Sequence, residues 1–174
     1  SYVGGSFFLA LFFTMILAIL MGMGQPSVAA YIVASAIATP TIIKMGVPPV
    51  AAHLFVFYFA TFSNVTPPVA LASYVAAGLA DAKPMKVAVL GMKICFAAFI
   101  IPYIFVISPG LLLQAPFGEV LLNIFTTAIA VISLGAVLHG WFIIKLKLWE
   151  IALLIILSVL SLKPGLISDL IGIG

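Results

Sequence analysis

The chain has 174 residues, and only 6% of them carry a charge, whereas about 25% do in an ordinary soluble domain. Hydrophobic residues make up 66% of the chain, and the mean hydropathy is +1.42. Most soluble folds are excluded, because so few polar side chains cannot cover the surface of a globule. The net charge of +3 comes from scattered lysines without any arginine, so a basic patch for nucleic acid is excluded as well.

The apolar runs predict an all-α, polytopic membrane protein. A membrane span takes roughly 20 apolar residues, and residues 87–107 and 120–143 each reach that length. The run over 149–163 is shorter. We expect one membrane unit of several helices and no additional soluble domain of normal size. The single cysteine, Cys95, cannot form an internal disulfide and is expected to be a small buried side chain.

The first unusual feature is a pair of short apolar runs, 6–21 and 27–43, joined by Gly22 to Ser27. Both runs are short for a membrane span. The joining residues cannot face lipid, because each unpaired backbone group would cost several kcal/mol in hydrocarbon. The pattern therefore predicts a re-entrant helical hairpin over 6–43, whose tip is buried in protein or lines a wet cavity.

A second break interrupts the apolar stretch 50–80 at Ser63 to Pro68. The two prolines at its end lack an N–H group, and each pushes the residue before it out of the helical region. We therefore expect a discontinuous helix over 50–80. Its first half should stop near Thr61, and its second half should restart near Pro67, since proline is favoured in a first helical turn.

The lysines predict the orientation, because positive residues favour the cytoplasmic side of a membrane. If the hairpin returns to its starting side, five lysines lie on one side and two on the other. The five are Lys83, Lys86, Lys93, Lys145 and Lys147, and the two are Lys44 and Lys163. We place the five in the cytoplasm. The hairpin tip then enters the membrane from outside and should meet the second break near mid-depth.

Neutral oxygen atoms are concentrated at the two breaks. The side chains are those of Gln25, Ser27, Ser63, Asn64 and Thr66, and free carbonyl oxygens are expected at Gly22, Gly24 and Val65. Such ligands suit a hard monovalent cation, with Na⁺ the natural candidate, whereas zinc needs clusters of Cys or His that the sequence lacks. Residues 1–80 contain no carboxylate, so a proton relay through Asp or Glu has no members there.

The residues alone leave two interpretations of the breaks open. In the first, the breaks form the ion site of a secondary transporter. In the second, they are packing kinks in a channel or a structural membrane subunit, with the hydroxyl groups bonded to their own helices. An enzyme is disfavoured, because no catalytic arrangement of Ser, His and Asp appears in the sequence.

Three motifs resemble a known family: Gly-Met-Gly-Gln-Pro at 22–26, Ala-Ala-His-Leu-Phe-Val-Phe-Tyr-Phe at 51–59, and Thr-Pro-Pro-Val-Ala at 66–70. The run 22–86 looks like the C-terminal repeat of the large membrane subunit of TRAP transporters, the tripartite ATP-independent periplasmic carriers. It is most similar to the fused, TAXI-type permeases. The resemblance is specific over residues 1–112 and loose afterwards.

This resemblance implies half of an inverted-repeat, elevator-type secondary transporter in the bacterial inner (cytoplasmic) membrane. The transporter would be driven by Na⁺, without another cofactor, and a periplasmic substrate-binding protein would deliver organic anions such as carboxylates. We expect a transport-domain repeat over 1–112 and C-terminal membrane helices over 113–174. The chain would then begin inside a longer polypeptide, and the N-terminal repeat and the small-subunit helices would be further partners.

The resemblance also places the unwound crossover for cation and substrate at Asn64 to Pro68. The residues expected to bind the cation are Gly22, Gly24, Ser27, Ser63, Asn64, Val65 and Thr66. The residues expected to contact the substrate are Gln25, His53, Asn64 and Pro67. A second interpretation of His53 is a satisfied interior histidine, which is the commoner role of such a residue.

Two further patterns predict packing and membrane position. Ala30, Ala34 and Ala38 fall on one helical face, which permits close approach of a neighbouring helix. Two tryptophans bracket two lysines near the C-terminal end, an arrangement typical of an interfacial belt. The belt residues are Trp141, Lys145, Lys147 and Trp149.

Overall fold

The computed structural model describes residues 5–107, 112, 116–142 and 145–161, and these residues lie in helices, turns and short connections. In this described part of the chain, eight α-helices follow one another, with one 3₁₀ helix between the fifth and the sixth. They are α1 (Gly5–Gly22), α2 (Ser27–Lys44), α3 (Pro49–Phe62), α4 (Leu71–Leu79), α5 (Pro84–Cys95), the 3₁₀ helix (Phe96–Ile100), α6 (Ile101–Ile107), α7 (Phe117–His139) and α8 (Leu148–Ser161). Within the described ranges, the one β-type pairing is an isolated bridge between Trp141 and Lys145. The predicted all-helical fold is confirmed.

The chain divides into two compact units, residues 1–92 and 93–174. In the first unit, α1, α2 and α3 pack against one another in every pairing. Helix α2 runs antiparallel to α3: Ser27 at the start of α2 contacts Asn64 beyond the end of α3, and Tyr31, one turn later, contacts the earlier Phe57. A bundle of three apolar helices therefore carries both breaks at one end.

The alanine face of α2 is the centre of this bundle. Ala30 and Ala34 are 0% exposed and Ala38 is 2% exposed. Side chains this small let helix backbones come close, which increases the dispersion contacts along the interface. The predicted packing role of the alanines is confirmed.

Replacing Ala34 with leucine should destabilise the bundle. The added side-chain atoms have no space at a site that is 0% exposed, and overpacking of this kind costs about 1–3 kcal/mol. Ala36→Leu is the matched control, because Ala36 lies on the exposed face of the same helix. We expect a lower thermal unfolding temperature in detergent for Ala34→Leu and an unchanged unfolding temperature for Ala36→Leu. Equal behaviour of the two variants would contradict the buried alanine face.

Helices α1 and α2 form the predicted helical hairpin. Only residues 23–26 separate the two helices, because α1 continues through Gly22 and α2 begins at Ser27. Helix α2 has 18 residues and is, by length and composition, a candidate membrane span. The return of the hairpin to its starting side therefore stays a prediction.

The discontinuous helix is also present, with a longer interruption than the sequence predicts. Helix α3 ends at Phe62, close to the predicted stop, but α4 begins at Leu71 and not near Pro67. The prolines occupy the turn instead of the first helical turn. Just before α4, Ala70 has φ 30°, a left-handed conformation that cannot continue a helix. The second half therefore starts one turn later than proline placement alone suggests.

Within the residues that the structure describes, three helical segments are long and apolar enough to cross a membrane. They are Ser27–Lys44, Pro84–Ile107 and Val120–His139. The predicted simple span over 87–107 is interrupted by the 3₁₀ helix Phe96–Ile100. Pro102 is the second residue of α6, and its missing N–H and bulky ring disturb the α-helical bonding of the preceding turn. These segments fit a multi-pass membrane protein.

In the second unit, α7 packs against α8 and against the 3₁₀ helix. The start of α8 is held by a bond in which the backbone N–H of Lys147 donates to Oε2 of Glu150 at 2.7 Å. All four belt residues are exposed, and their position at a membrane interface stays a prediction. Cys95 is half-buried, which is more exposed than expected. Lys163 lies outside the described residues.

Candidate cation and substrate site

The two breaks lie against each other. Gly22, the last residue of α1, is buried, and a Cβ added there would lie 2.6 Å from both the carbonyl oxygen of Ala60 and Oγ of Ser63. This distance is far below van der Waals contact, so only glycine permits such an approach. The ends of α1 and α3 are adjacent, and the predicted proximity of the two breaks is confirmed.

A side-chain hydrogen bond joins α2 to the second break. Nδ2 of Asn64 donates to Oγ of Ser27 at 3.3 Å and to the carbonyl oxygen of Thr61 at 3.2 Å. The backbone carbonyl of Asn64 accepts the N–H of Ala72 at 3.0 Å. These bonds use both amide protons and leave the lone pairs of Oδ1 for a ligand. Asn64 is therefore better suited to a cation than to an anion.

The hairpin tip has fewer unbonded carbonyl oxygens than predicted. The carbonyl of Gly22 accepts the N–H of Gln25 at 3.3 Å, so the prediction of a free oxygen there is wrong; the tight turn uses it. The carbonyls of Gly24 and Val65 accept no backbone hydrogen bond from the residues that the structure describes. Gly24 has φ +76°, and a Cβ there would be 3.6 Å from Cγ1 of Val69. The tip thus rests beside the end of the second break.

Two hydroxyl groups of the second break are bonded to their own helix. Oγ of Ser63 donates to the carbonyl oxygen of Ala60 at 2.6 Å, and Oγ1 of Thr66 donates to that of Phe62 at 2.8 Å. The structural interpretation of the breaks predicts such bonds. They also fix the hydroxyl protons towards the helix, so that the oxygen lone pairs point away from it and can accept a cation.

The helix ends at the breaks supply partial charges of both signs. The adjacent ends of α1 and α3 are C-terminal, and each carries the negative end of a helix dipole. Helix α2 starts beside them at Ser27, after Pro26, without a side-chain cap bond. Its first N–H groups are the positive end of a dipole and favour an anion. A cation and an anion can therefore be attracted to neighbouring positions without any charged side chain.

Besides Asn64, two of the predicted substrate residues lie at the breaks. Nε2 of Gln25 donates to the carbonyl oxygen of Met21 at 3.2 Å, which leaves its second amide proton available to an anion. Pro67 is half-buried in the turn between α3 and α4. Both groups belong to the non-helical segments that the hairpin tip and the second break contribute.

His53 lies apart from the breaks. It is in the first half of α3 and is exposed, about 16 Å along the helix axis from Asn64. Its Nδ1 is 2.8 Å from the hydroxyl oxygen of Tyr31. The interpretation as an interior histidine is therefore wrong, because the ring lies on the outer edge of the interface between α2 and α3.

Sequence reasoning missed Tyr31 and Val69. Tyr31 follows Ser27 by one helical turn, so both lie on the same face of α2, and this spacing was the available signal. Val69 contacts the hairpin tip only because of the fold, and nothing in its sequence neighbourhood indicates the contact.

Comparisons of the sequence with known protein families give two matches. The family model of the tripartite ATP-independent periplasmic transporter DctM component matches residues 1–120. A model of a domain of unknown function, DUF3394, matches residues 120–172. No curated protein and no solved structure matches the chain significantly.

Proposed function

The chain belongs to the family of the DctM component of tripartite ATP-independent periplasmic transporters, and from this premise we propose that it carries the ion and substrate site of a Na⁺-coupled carrier for organic anions. The family consists of permease components of secondary transporters, and it implies a periplasmic binding protein and other permease segments as partners. A location in the bacterial inner membrane and the fused, TAXI-type organisation belong to the proposal.

The observation that carries the proposal is the contact of the two breaks at the C-terminal ends of α1 and α3. Negative helix ends and neutral oxygens meet there, and residues 1–80 provide no carboxylate to neutralise a cation. Secondary transporters coordinate Na⁺ with unwound carbonyls and half-helix ends in this manner. The proposed cation ligands are backbone or side-chain oxygens of Gly22, Gly24, Ser27, Ser63, Asn64, Val65 and Thr66, with Gly22 contributing the second lone pair of the carbonyl that also accepts the N–H of Gln25.

The anion is proposed to bind beside the cation, at the start of α2. Its unpaired N–H groups and the free amide proton of Gln25 are donors, and Pro67 contributes apolar contact. A cation and an anion in neighbouring positions stabilise each other by electrostatic attraction. Binding of one therefore raises the affinity for the other, which couples their transport.

Uptake by the reconstituted transporter tests this function. Liposomes that contain this chain with its other permease segments receive the binding protein and radiolabelled acetate or succinate, a mono- and a dicarboxylate. We expect uptake when the outer solution contains Na⁺ and little uptake when K⁺ replaces it. Equal uptake in the two salts would overturn Na⁺ coupling.

The hydroxyl groups of Ser63 and Thr66 form hydrogen bonds to carbonyl oxygens of their own helix. These bonds favour a second candidate function, in which the breaks are structural kinks. In that case, Na⁺ would leave the unfolding temperature and the protease sensitivity of the purified protein unchanged. A bound ion instead stabilises the folded state in proportion to the logarithm of its concentration. Titration with NaCl against an equal concentration of KCl distinguishes the candidates.

Orientation in the membrane is a separate prediction. Single cysteines are placed at the exposed positions Lys83, Lys147 and Lys44, in a background in which Cys95 is replaced by alanine. A membrane-impermeant maleimide added to intact cells should label position 44 only, because the lysine distribution places 83 and 147 in the cytoplasm. Labelling of 83 or 147 without 44 would reverse the orientation, and detergent-treated cells provide the control for reactivity.

A further inference from the structure

A second polar contact crosses the interface between α2 and α3, one turn from the hairpin tip. The hydroxyl oxygen of Tyr31 lies 2.8 Å from Nδ1 of His53. The same tyrosine ring packs edge-on against Phe57, with ring centroids 5.4 Å apart at an interplanar angle of 84°. The tyrosine ring is thus held by packing while its hydroxyl group reaches the histidine.

The direction of this hydrogen bond follows from the donors that are present. Within the part of the chain that the structure describes, the hydroxyl group of Tyr31 has no acceptor other than Nδ1 of His53. A bare imidazole nitrogen is a better acceptor than a phenolic oxygen, and a phenolic O–H is a good donor, so the bond is stronger with Tyr31 donating than with Nδ1–H donating. The tyrosine therefore donates to Nδ1, and the neutral imidazole carries its hydrogen on Nε2.

This tautomer gives His53 a donor that needs a partner. The ring is exposed on α3, a helix whose other residues are apolar apart from Thr61 and Tyr58. An N–H group that faces hydrocarbon without a partner costs several kcal/mol, and ionisable residues at membrane depth face water or a functional path. We therefore infer that Nε2–H faces water, a ligand or another polar group and not lipid.

On α2, this contact lies one turn beyond the polar contact at the breaks, although on α3 His53 is about 16 Å along the axis from Asn64. Ser27 and Tyr31 are one turn apart on α2, about 6 Å along its axis. Both reach across to α3, Ser27 to Asn64 and Tyr31 to His53. Each of these four side chains is half-buried or exposed, so together they form a row along the outer edge of the α2–α3 interface.

We propose that this row is part of the path of the anion and that His53 binds a carboxylate oxygen through Nε2–H. Tyr31 is a positioning residue: its hydrogen bond to Nδ1 selects the tautomer and fixes the ring. The inference rests on the proposed anion transport, but it assigns a contact and a tautomer outside the two breaks. No charge on His53 is required, since a neutral N–H donor is sufficient for a carboxylate that must be released again.

Two substitutions of His53 distinguish a ligand contact from a structural bond. Glutamine places an amide N–H near the position of Nε2, and asparagine places its amide only near the position of Nδ1. If Nε2–H binds the anion, His53→Gln should retain most of the affinity, and His53→Asn should lose roughly tenfold, the value of one good hydrogen bond. If His53 serves only as the hydrogen-bond partner of Tyr31, His53→Asn should retain more of the anion affinity than His53→Gln.

Tyr31→Phe tests the positioning role, because phenylalanine keeps the ring contact with Phe57 and removes the hydroxyl group. We expect about a fivefold higher concentration of anion for half-maximal uptake with an unchanged maximal rate, since one neutral hydrogen bond is lost. In a His53→Asn background, Tyr31→Phe should have no further effect on affinity, because no Nε2–H remains to be positioned.

The readouts are succinate binding to the detergent-solubilised transporter and Na⁺-dependent uptake. Weaker binding by His53→Asn than by His53→Gln supports the inference, even if uptake proves independent of Na⁺ and the proposed coupling fails. Equal binding by both variants overturns this inference. If Na⁺-dependent uptake is intact in that case, the proposed function still stands. Loss of the folded protein in Tyr31→Phe, seen as a lower unfolding temperature, would also overturn it and identify a structural bond.

Discussion

Gly22→Ala is expected to be strongly destabilising, because the methyl group it adds has no room. The new Cβ would lie 2.6 Å from the carbonyl oxygen of Ala60 and from Oγ of Ser63. The first of these atoms is backbone in a helix that cannot shift without moving its neighbours. Overpacking at such a contact costs about 1–3 kcal/mol. We expect a clearly lower unfolding temperature and nearly complete loss of uptake.

Gly78→Ala is the matched control for Gly22→Ala. A Cβ at Gly78 meets no heavy atom within 4 Å, and the position is inside helix α4, where alanine is preferred over glycine by roughly 1 kcal/mol. This variant should therefore be as stable as the parent or slightly more stable. If both variants unfold at the parental temperature, the ends of α1 and α3 are not in contact in the functional protein.

Asn64→Ala should raise the Na⁺ concentration for half-maximal uptake about tenfold, which corresponds to about 1.4 kcal/mol of binding free energy. Its Oδ1 is an acceptor-only oxygen at the second break, since both amide protons of Asn64 are used in other hydrogen bonds, and the residue is half-buried at a polar site. Removing it leaves no cavity in the apolar core, so folding should be largely unaffected. Thr66→Ala should act in the same direction.

Three further variants serve as controls and comparisons for Asn64→Ala. Thr41→Ala is the control, because its hydroxyl group also donates to its own helix, to Ile37 at 3.4 Å, but at the opposite end of α2. Ser27→Ala removes the partner of Asn64 and keeps Oδ1, while Asn64→Asp keeps an oxygen ligand and adds charge. If Asn64→Ala and Thr66→Ala keep the parental Na⁺ dependence, the cation binds elsewhere and the breaks are substrate contacts or kinks.

Much of the candidate site could be predicted because backbone chemistry determines where helices break. Glycine and proline at Gly22 to Pro26 and at Thr66 to Pro68 prevent regular helical bonding whatever surrounds them. The polar residues next to them are then concentrated at the two breaks. The details depended on neighbours: the carbonyl of Gly22 is used by the N–H of Gln25, and helix α4 starts at Leu71.

The sequence by itself determined that this chain is a helical membrane protein with two breaks, because hydropathy, proline and glycine act locally or through the solvent. Only the tertiary structure decided which groups meet. The contact of Gly22 with Ala60 and Ser63, the bond from Asn64 to Ser27, and the pairing of Tyr31 with His53 each join residues far apart in the chain. Such contacts depend on the register between packed helices, which is set by the fit of all facing side chains together and not by any one segment.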